Sequence, residues 1–269
     1  MILNFLNTQV SSNVLKCCSQ TRLISGLYIY PDFLPPEDQK NLQEKVINLH
    51  TYIVNESKNS NSQRCQTFLS RYHNLSSDEH YRQIQLNDAQ GNKVTCQHFE
   101  KYGESGHKLS YFIGNDNLPT FLQSSLLSRI LQIPEVITIT EDSQLNWNFT
   151  FNTYATTKTQ PTKLAGFAFH KDIDSNGEVT MIYSLGASST FHIRHPKKIS
   201  DTLSVPLLPN SLLLLSKEAR WDYEHCVVPV DVDKSSSLIE TQLETIKRVS
   251  LVLGFTRIFE KTDRYKTEC

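Results

Sequence analysis

Residues 145–154 read LNWNFTFNTY. Side chains on a β-strand point alternately to opposite faces, so Leu145, Trp147, Phe149 and Phe151 share one side, while Asn146, Asn148, Thr150, Asn152 and Tyr154 share the other. The first side is a core face. A strand with so many polar groups on its second side is the wall of something wet, either a surface or a site. Further strands are expected at 164–172, 179–186, 189–194, 212–216 and 248–259.

Upstream of this strand the texture differs. Residues 1–22 read as a weakly structured leader, and GLYIY (26–30) as a short strand. PDFLPPEDQ (31–39) is a turn that opens a helix: Pro36 loses nothing by lacking an N–H in the first turn, and Glu37 and Asp38 meet the positive end of the helix dipole. Leu42, Val46 and Leu49 then mark one apolar helical face. Residues 51–95 are polar and irregular, and loops with short strands are expected there. HFEKYG (98–103) and KLSYFIG (108–114) read as paired strands around Glu104-Ser105-Gly106, and LPTFLQSSLLSRILQI (118–133) as a second helix, with strands expected after Pro134. Helices early and many strands late indicate an α+β domain with a sandwich or barrel at its C-terminal end.

At 269 residues the chain suits one large domain or two small ones. Its hydrophobic fraction of 38% belongs to a folded protein, and its formal net charge of −1 argues against non-specific coating of nucleic acid, so any such contact must be a local patch. None of the six cysteines forms C-x-x-C, which removes a zinc ribbon or thioredoxin-type motif. A reduced intracellular compartment, cytoplasm or nucleus, is expected. The lack of acidic residues before Asp32 keeps a mitochondrial presequence open, although Lys16 and Arg22 are the only basic residues there. No apolar run reaches the ~20 residues of a membrane span.

LAGFAFHKDID (164–174) sets His170 and Asp172 on the same face of a strand end. Alone the pair means little: with nine histidines and 28 acidic residues, roughly one His-x-Asp/Glu arises by chance, and His98-Phe99-Glu100 is a decoy of that kind. A mononuclear iron site takes two imidazoles and one carboxylate on one side of the metal and leaves the other positions open. His170 and Asp172 offer two of these ligands, and His192, His195 and His225 are the downstream options for the third. His225 follows the apolar strand PNSLLLLS, which returns the chain through the core, whereas His192 and His195 sit in the cationic stretch HIRHPKK. Arg248 lies on a strand, where a buried guanidinium is costly without a carboxylate partner.

In this order the motifs resemble the iron(II)- and 2-oxoglutarate-dependent dioxygenases, and in detail the AlkB family among them. Asn152-Thr153-Tyr154 stands where AlkB-like proteins carry Asn-x-Tyr, SLGAS (184–188) matches their Ser-Leu-Gly strand, and SKEARWDYEH is similar to the run before their second histidine. GLYIYPDFLPPED resembles their entry segment. The likeness covers residues 24–260 and is strongest over 145–255. It implies a double-stranded β-helix (jelly-roll) core with N-terminal helices packed on one sheet. One domain would then span 23–260, between the leader 1–22 and a tail 261–269. It also implies iron(II) on His170, Asp172 and His225; 2-oxoglutarate paired with Arg248 and bonded by Asn152, Tyr154 and Ser250; and O2 as co-substrate.

Two features depart from the family pattern. Its second arginine falls here on Gly254, and Arg257 comes three residues later, at an offset that reverses its face. The connection from Tyr154 to His170 is also longer, with TTKTQPTKLAG inserted. The resemblance implies oxidative demethylation of an N-alkylated base in DNA or RNA, single-stranded or flipped out. Arg194, Lys197 and Lys198 are candidates to meet phosphates, and Lys101 and Lys108 fall where the family builds its substrate lid. The neutral overall charge favours a rival, hydroxylation or demethylation of a protein side chain. The missing arginine keeps open a non-catalytic binding module on the same fold. A monomer is expected.

Overall fold

A computed structural model describes residues 15–18, 23–59, 62–63, 80–87, 90–100, 106–140, 143–233, 237–241 and 244–258. Lys101, the expected tail 261–269 and most of the expected leader lie outside the described residues. The strands in chain order are β1 (Leu15–Cys18), β2 (Leu23–Tyr30), β3 (Ser62–Gln63), β4 (His80–Asn87), β5 (Lys93–Glu100) and β6 (His107–Ile113). They continue with β7 (Gln144–Thr157), β8 (Lys163–Leu164), β9 (Phe167–His170), β10 (Thr180–Gly186), β11 (Ser189–Arg194) and β12 (Leu203–Leu207). The last are β13 (Leu212–Leu215), β14 (Glu224–Val228), β15 (Val230–Asp231), β16 (Ile239–Glu240) and β17 (Glu244–Ile258).

Among the described residues these strands build a large sheet ordered β1-β2-β13-β10-β17-β7-β6-β5-β4-β3, with β16 on β17, and a small sheet ordered β12-β11-β14-β9. The two face each other as a jelly roll. Between them lies an apolar layer that includes Ile29, Ile182, Phe191, Ile193, Leu213, Val227 and Val252. The opposite side of the large sheet carries the main core, where Phe149, Phe151, Leu251 and Leu253 pack with the N-terminal helices. The alternation in LNWNFTFNTY therefore assigns both layers: its aromatic side meets the helices and its polar side looks into the sandwich.

Helix α1 (Pro36–Asn59) begins at the expected proline with Glu37 and Asp38 in its first turn. It runs well past residue 51, where loops were expected, because Ile53 and Ser57 continue the buried stripe of Leu42, Val46 and Leu49. Packing of that face outweighs the poor helix propensity of the Asn- and Ser-rich end. The polar region beyond it contains the β4–β5 hairpin, in which Ile84, Leu86, Val94 and Cys96 are the buried alternate residues. The stretch 118–133 is helical around a π-turn (Gln123–Leu127) and Ser128–Ile130. Pro134–Thr140 is a further helix rather than the expected strand. Its β-branched run suggests extension, yet Pro134 suits a helix first turn, and Glu135 accepts a hydrogen bond from the Tyr30 hydroxyl at 2.8 Å.

Candidate active site

The small sheet brings the two distant histidines together. Antiparallel pairing of β14 with β9 sets His225 directly opposite His170, and Asp172 follows just past the end of β9. Asp172 Oδ1 lies 3.8 Å from His170 Nε2, and Asp172 Oδ2 lies 3.6 Å from His225 Nε2. Both gaps are too long for hydrogen bonds, and the three ligand atoms all lie within 4.8 Å of one another. His170 Nδ1 donates to the Ala168 carbonyl at 2.8 Å, which leaves the Nε2 lone pair facing its neighbours.

The protonation states suit metal binding. Burial pushes the His225 imidazole down to about 3, so it is neutral. Burial works against the Asp172 carboxylate, but His225, His170 and the Arg220 guanidinium outweigh it and hold the acid below the usual carboxylate range. Asp172 Oδ2 is nonetheless buried without a hydrogen-bond partner. The neutral His225 imidazole, the His170 imidazole beside it and an orphaned carboxylate oxygen are a donor set suited to a cation.

Beside the triad stands the polar wall of the large sheet. Asn152, Tyr154 and Ser250 line a narrow cavity of about 30 Å3 together with His170, Asp172 and His225. Arg248 pairs with Tyr154 across β17 and β7 and is fully buried. One guanidinium nitrogen, Nη2, donates to Ser184 Oγ at 3.2 Å, and the group lies 4.5 Å from the Tyr154 ring. Its Nε and Nη1 have no partner, and no carboxylate among the described residues pairs with it. Burial lowers its affinity for a proton, yet an arginine stays charged, so an anionic ligand is the natural missing partner.

A model of the 2OG-Fe(II) oxygenase superfamily matches residues 26–254, most of the chain and all of the site. The chain belongs to this superfamily. Three solved structures are similar to the chain at low identity. OsALKBH1 is 11% identical, with 87% of this chain and 100% of that one covered at a TM-score of 0.48. A Pseudomonas putida prolyl-4-hydroxylase is 12% identical, with 87% and 94% covered at 0.43. An oxidoreductase of the 2OG-Fe(II) oxygenase family from Burkholderia pseudomallei is 14% identical, with 58% and 70% covered at 0.34. None of the curated proteins matches the sequence. As a member of its superfamily, this oxygenase uses iron(II), 2-oxoglutarate and O2, and the His170-Asp172-His225 set and the unpaired Arg248 fit those groups.

The oxygenase also explains its missing second arginine. A Cβ on Gly254 would lie 2.5 Å from the Asn176 carbonyl oxygen and 2.6 Å from Asn176 Cβ, so no side chain fits there. The loop after the iron-ligand candidates, with its 3-10 turn Asp174–Asn176, closes onto β17 instead and brings Asn176 to the cavity wall. The Tyr111 hydroxyl holds this loop through Ser175 Oγ at 2.9 Å and Asn176 Oδ1 at 3.4 Å. Arg257 is no substitute, since it forms an ion pair with Glu178.

Other residues singled out in the sequence are distributed differently. His192 and His195 are not part of the triad; His195 sits edge-on to Tyr223 at 5.5 Å. Arg194 bonds Glu224 at 2.6 Å and lies 3.5 Å over the Phe169 ring, while Lys197 and Lys198 are exposed on the turn beyond it. Lys108 lines the cavity on the helical side of the sheet and pairs with Glu244 at 2.6 Å. The decoy His98 is buried and bonds Ser110 Oγ at 2.8 Å. Arg220, present in the motif SKEARWDYEH, proves to be a brace. Its guanidinium is buried and donates to the carbonyls of Asp172 and Ile173 at 3.2 and 2.7 Å, fixing the backbone that carries the acid.

Proposed function

We propose that this oxygenase is AlkB-like and removes an alkyl group from a base nitrogen in DNA or RNA. His170, Asp172 and His225 are the iron ligands, and Asn152, Tyr154, Arg248 and Ser250 hold 2-oxoglutarate. The support is the order Asn152-x-Tyr154, His170-x-Asp172, His225 and Arg248: the first five line one cavity, and Arg248 lies against the Tyr154 ring behind it. A nucleic-acid substrate is favoured by the exposed Lys197 and Lys198, which follow β11 close to the row that pairs Ile193 with His225. Lysines there are placed to meet phosphates flanking an inserted base.

Held at this site by His170, Asp172, His225 and Arg248, iron(II) with 2-oxoglutarate and O2 would supply hydroxylation of a substrate C–H coupled to conversion of 2-oxoglutarate to succinate and CO2, which on an N-methyl group would end in release of formaldehyde. The protein's own residues supply position and dryness. Arg248 meets a carboxylate from inside the sandwich, Asn152 and Tyr154 offer hydrogen bonds from β7, and Ile182, Phe191 and Val252 exclude water.

The test is mass spectrometry of methylated oligonucleotides and methylated peptides after incubation with the full chain, iron(II) and 2-oxoglutarate. Loss of a base N-methyl group with release of formaldehyde is expected, and neither should occur with Asp172→Ala. Turnover confined to the peptides would replace this reading with a protein side-chain oxygenase.

A further inference from the structure

One histidine near the site is used by none of the roles above. His107, at the start of β6, is completely buried. Gly106 lets the strand enter there with a positive φ of 85° and a close approach to β7; a Cβ on Gly106 would lie 2.7 Å from the Ala155 carbonyl oxygen. The His107 ring is stacked between two others, 4.8 Å from Tyr154 and 4.5 Å from Phe167, and Phe167 in turn lies 4.1 Å from His170. Its Nε2 lies 3.2 Å from Asn152 Oδ1.

A carboxamide oxygen only accepts, so Nε2–H of His107 is the donor. With Oδ1 committed to that bond, the Asn152 NH2 group is left to the cavity that Asn152 lines. The reversed amide would require the other His107 tautomer, with Nε2 accepting, and would turn a carbonyl oxygen toward an anionic ligand. We propose that His107 is a positioning residue that sets the polarity of Asn152, so that the wall presents donors to 2-oxoglutarate. The inference rests on the co-substrate role of Asn152. The ring stack gives His107 its fixed orientation, and through Phe167 the same stack reaches an iron-ligand candidate.

The experiment measures 2-oxoglutarate binding by calorimetry to anaerobic iron(II)-loaded protein, where no turnover occurs, alongside kcat and KM for 2-oxoglutarate consumption. His107→Phe keeps a stacking ring and removes the donor. Its Kd and KM should rise about 10-fold, with kcat at saturating co-substrate nearly unchanged. His107→Gln returns a donor without the ring and should recover most of that affinity. Adding His107→Phe to Asn152→Ala should cost nothing further. Asn152→Asp keeps an acceptor for His107 but turns another oxygen to the cavity, so it should also weaken binding if His107→Phe proves unfolded. Binding by His107→Phe or Asn152→Asp equal to that of wild type would overturn the role of His107. Failure of the wild type itself to bind 2-oxoglutarate would instead overturn the co-substrate assignment.

Discussion

The large sheet has a cavity on each side, and each is lined by histidines and a carboxylate. On the sandwich side stand Asn152, Tyr154 and Ser250 with the His170-Asp172-His225 set, around a cavity of about 30 Å3. On the helical side stand His50, His98, Lys108, Ser110, Thr153 and Glu244, around a cavity of about 320 Å3. The larger space is not the one with unmet polar groups. Behind the sheet the carboxylate and one histidine have partners within the protein: Glu244 is neutralised by Lys108 at 2.6 Å, and His98 bonds Ser110 at 2.8 Å. In front of it Asp172 Oδ2 and two nitrogens of Arg248 are buried and unanswered. Volume is a poor guide to function here, and unmet hydrogen-bonding demand is a good one.

The comparison breaks most directly at its two carboxylates. Asp172→Ala should abolish iron-dependent 2-oxoglutarate consumption and weaken metal binding by more than about 100-fold, because it removes a ligand rather than a supporting contact. Glu244→Ala should leave both within about 2-fold, since the exposed end of Lys108 can turn to water. Metal titration and succinate release measure the contrast.

Arg248 tests whether the front face sacrifices stability for binding. Arg248→Met should lower 2-oxoglutarate affinity about 100-fold, as expected for loss of a buried charge partner. The same change should raise the stability of the ligand-free protein by about 1 kcal/mol, because it removes a buried guanidinium with two unbonded nitrogens. Urea melts without metal or co-substrate provide the check, and a fall in stability would show that the Ser184 bond outweighs the desolvation.

Gly254→Arg tests the departure from the family pattern. It should not add a useful cation to the site; it should destabilise the fold by about 2 kcal/mol, since its Cβ would press on the backbone of Asn176. The smallest effect belongs to the rear cavity. Burial, helped by the charge of Lys108, pushes the His50 imidazole down to about 4. As pH falls below the ordinary histidine value the unfolded chain takes up a proton that the folded chain refuses. Stability is therefore full above about pH 6.5 and falls as pH drops toward 4. His50→Leu should remove about 1 kcal/mol of the stability lost between pH 7 and pH 5.5, read as the difference between paired melts.

Much of this molecule was legible from the chain. The alternation over 145–154 placed a core face and a polar face, and the structure buries both, with Asn148, Asn152 and Tyr154 all under 5% exposed. The expected second helix and most downstream strands form close to their expected limits. The errors share one cause. The end of α1 and the helix Pro134–Thr140 have weak or contrary local preferences, and tertiary burial decides their state. His107 was hidden for another reason: a single histidine before a strand carries no periodic signal, and its partners lie on β7 and β9.

The sequence by itself determined an α+β domain ending in a sandwich or barrel and the residues able to supply metal ligands, because these are written in residue type, order and strand period; the superfamily and its jelly roll followed from the resemblance that the ordered motifs carry. Only the tertiary structure decided which histidine faces His170, and why Gly254 must be glycine. It also decided which of two polar faces has unmet bonds, and how His107 turns the Asn152 amide. Those answers depend on distances across strands far apart in the chain. Strand register and the twist of two opposed sheets set such distances, and no local pattern records them.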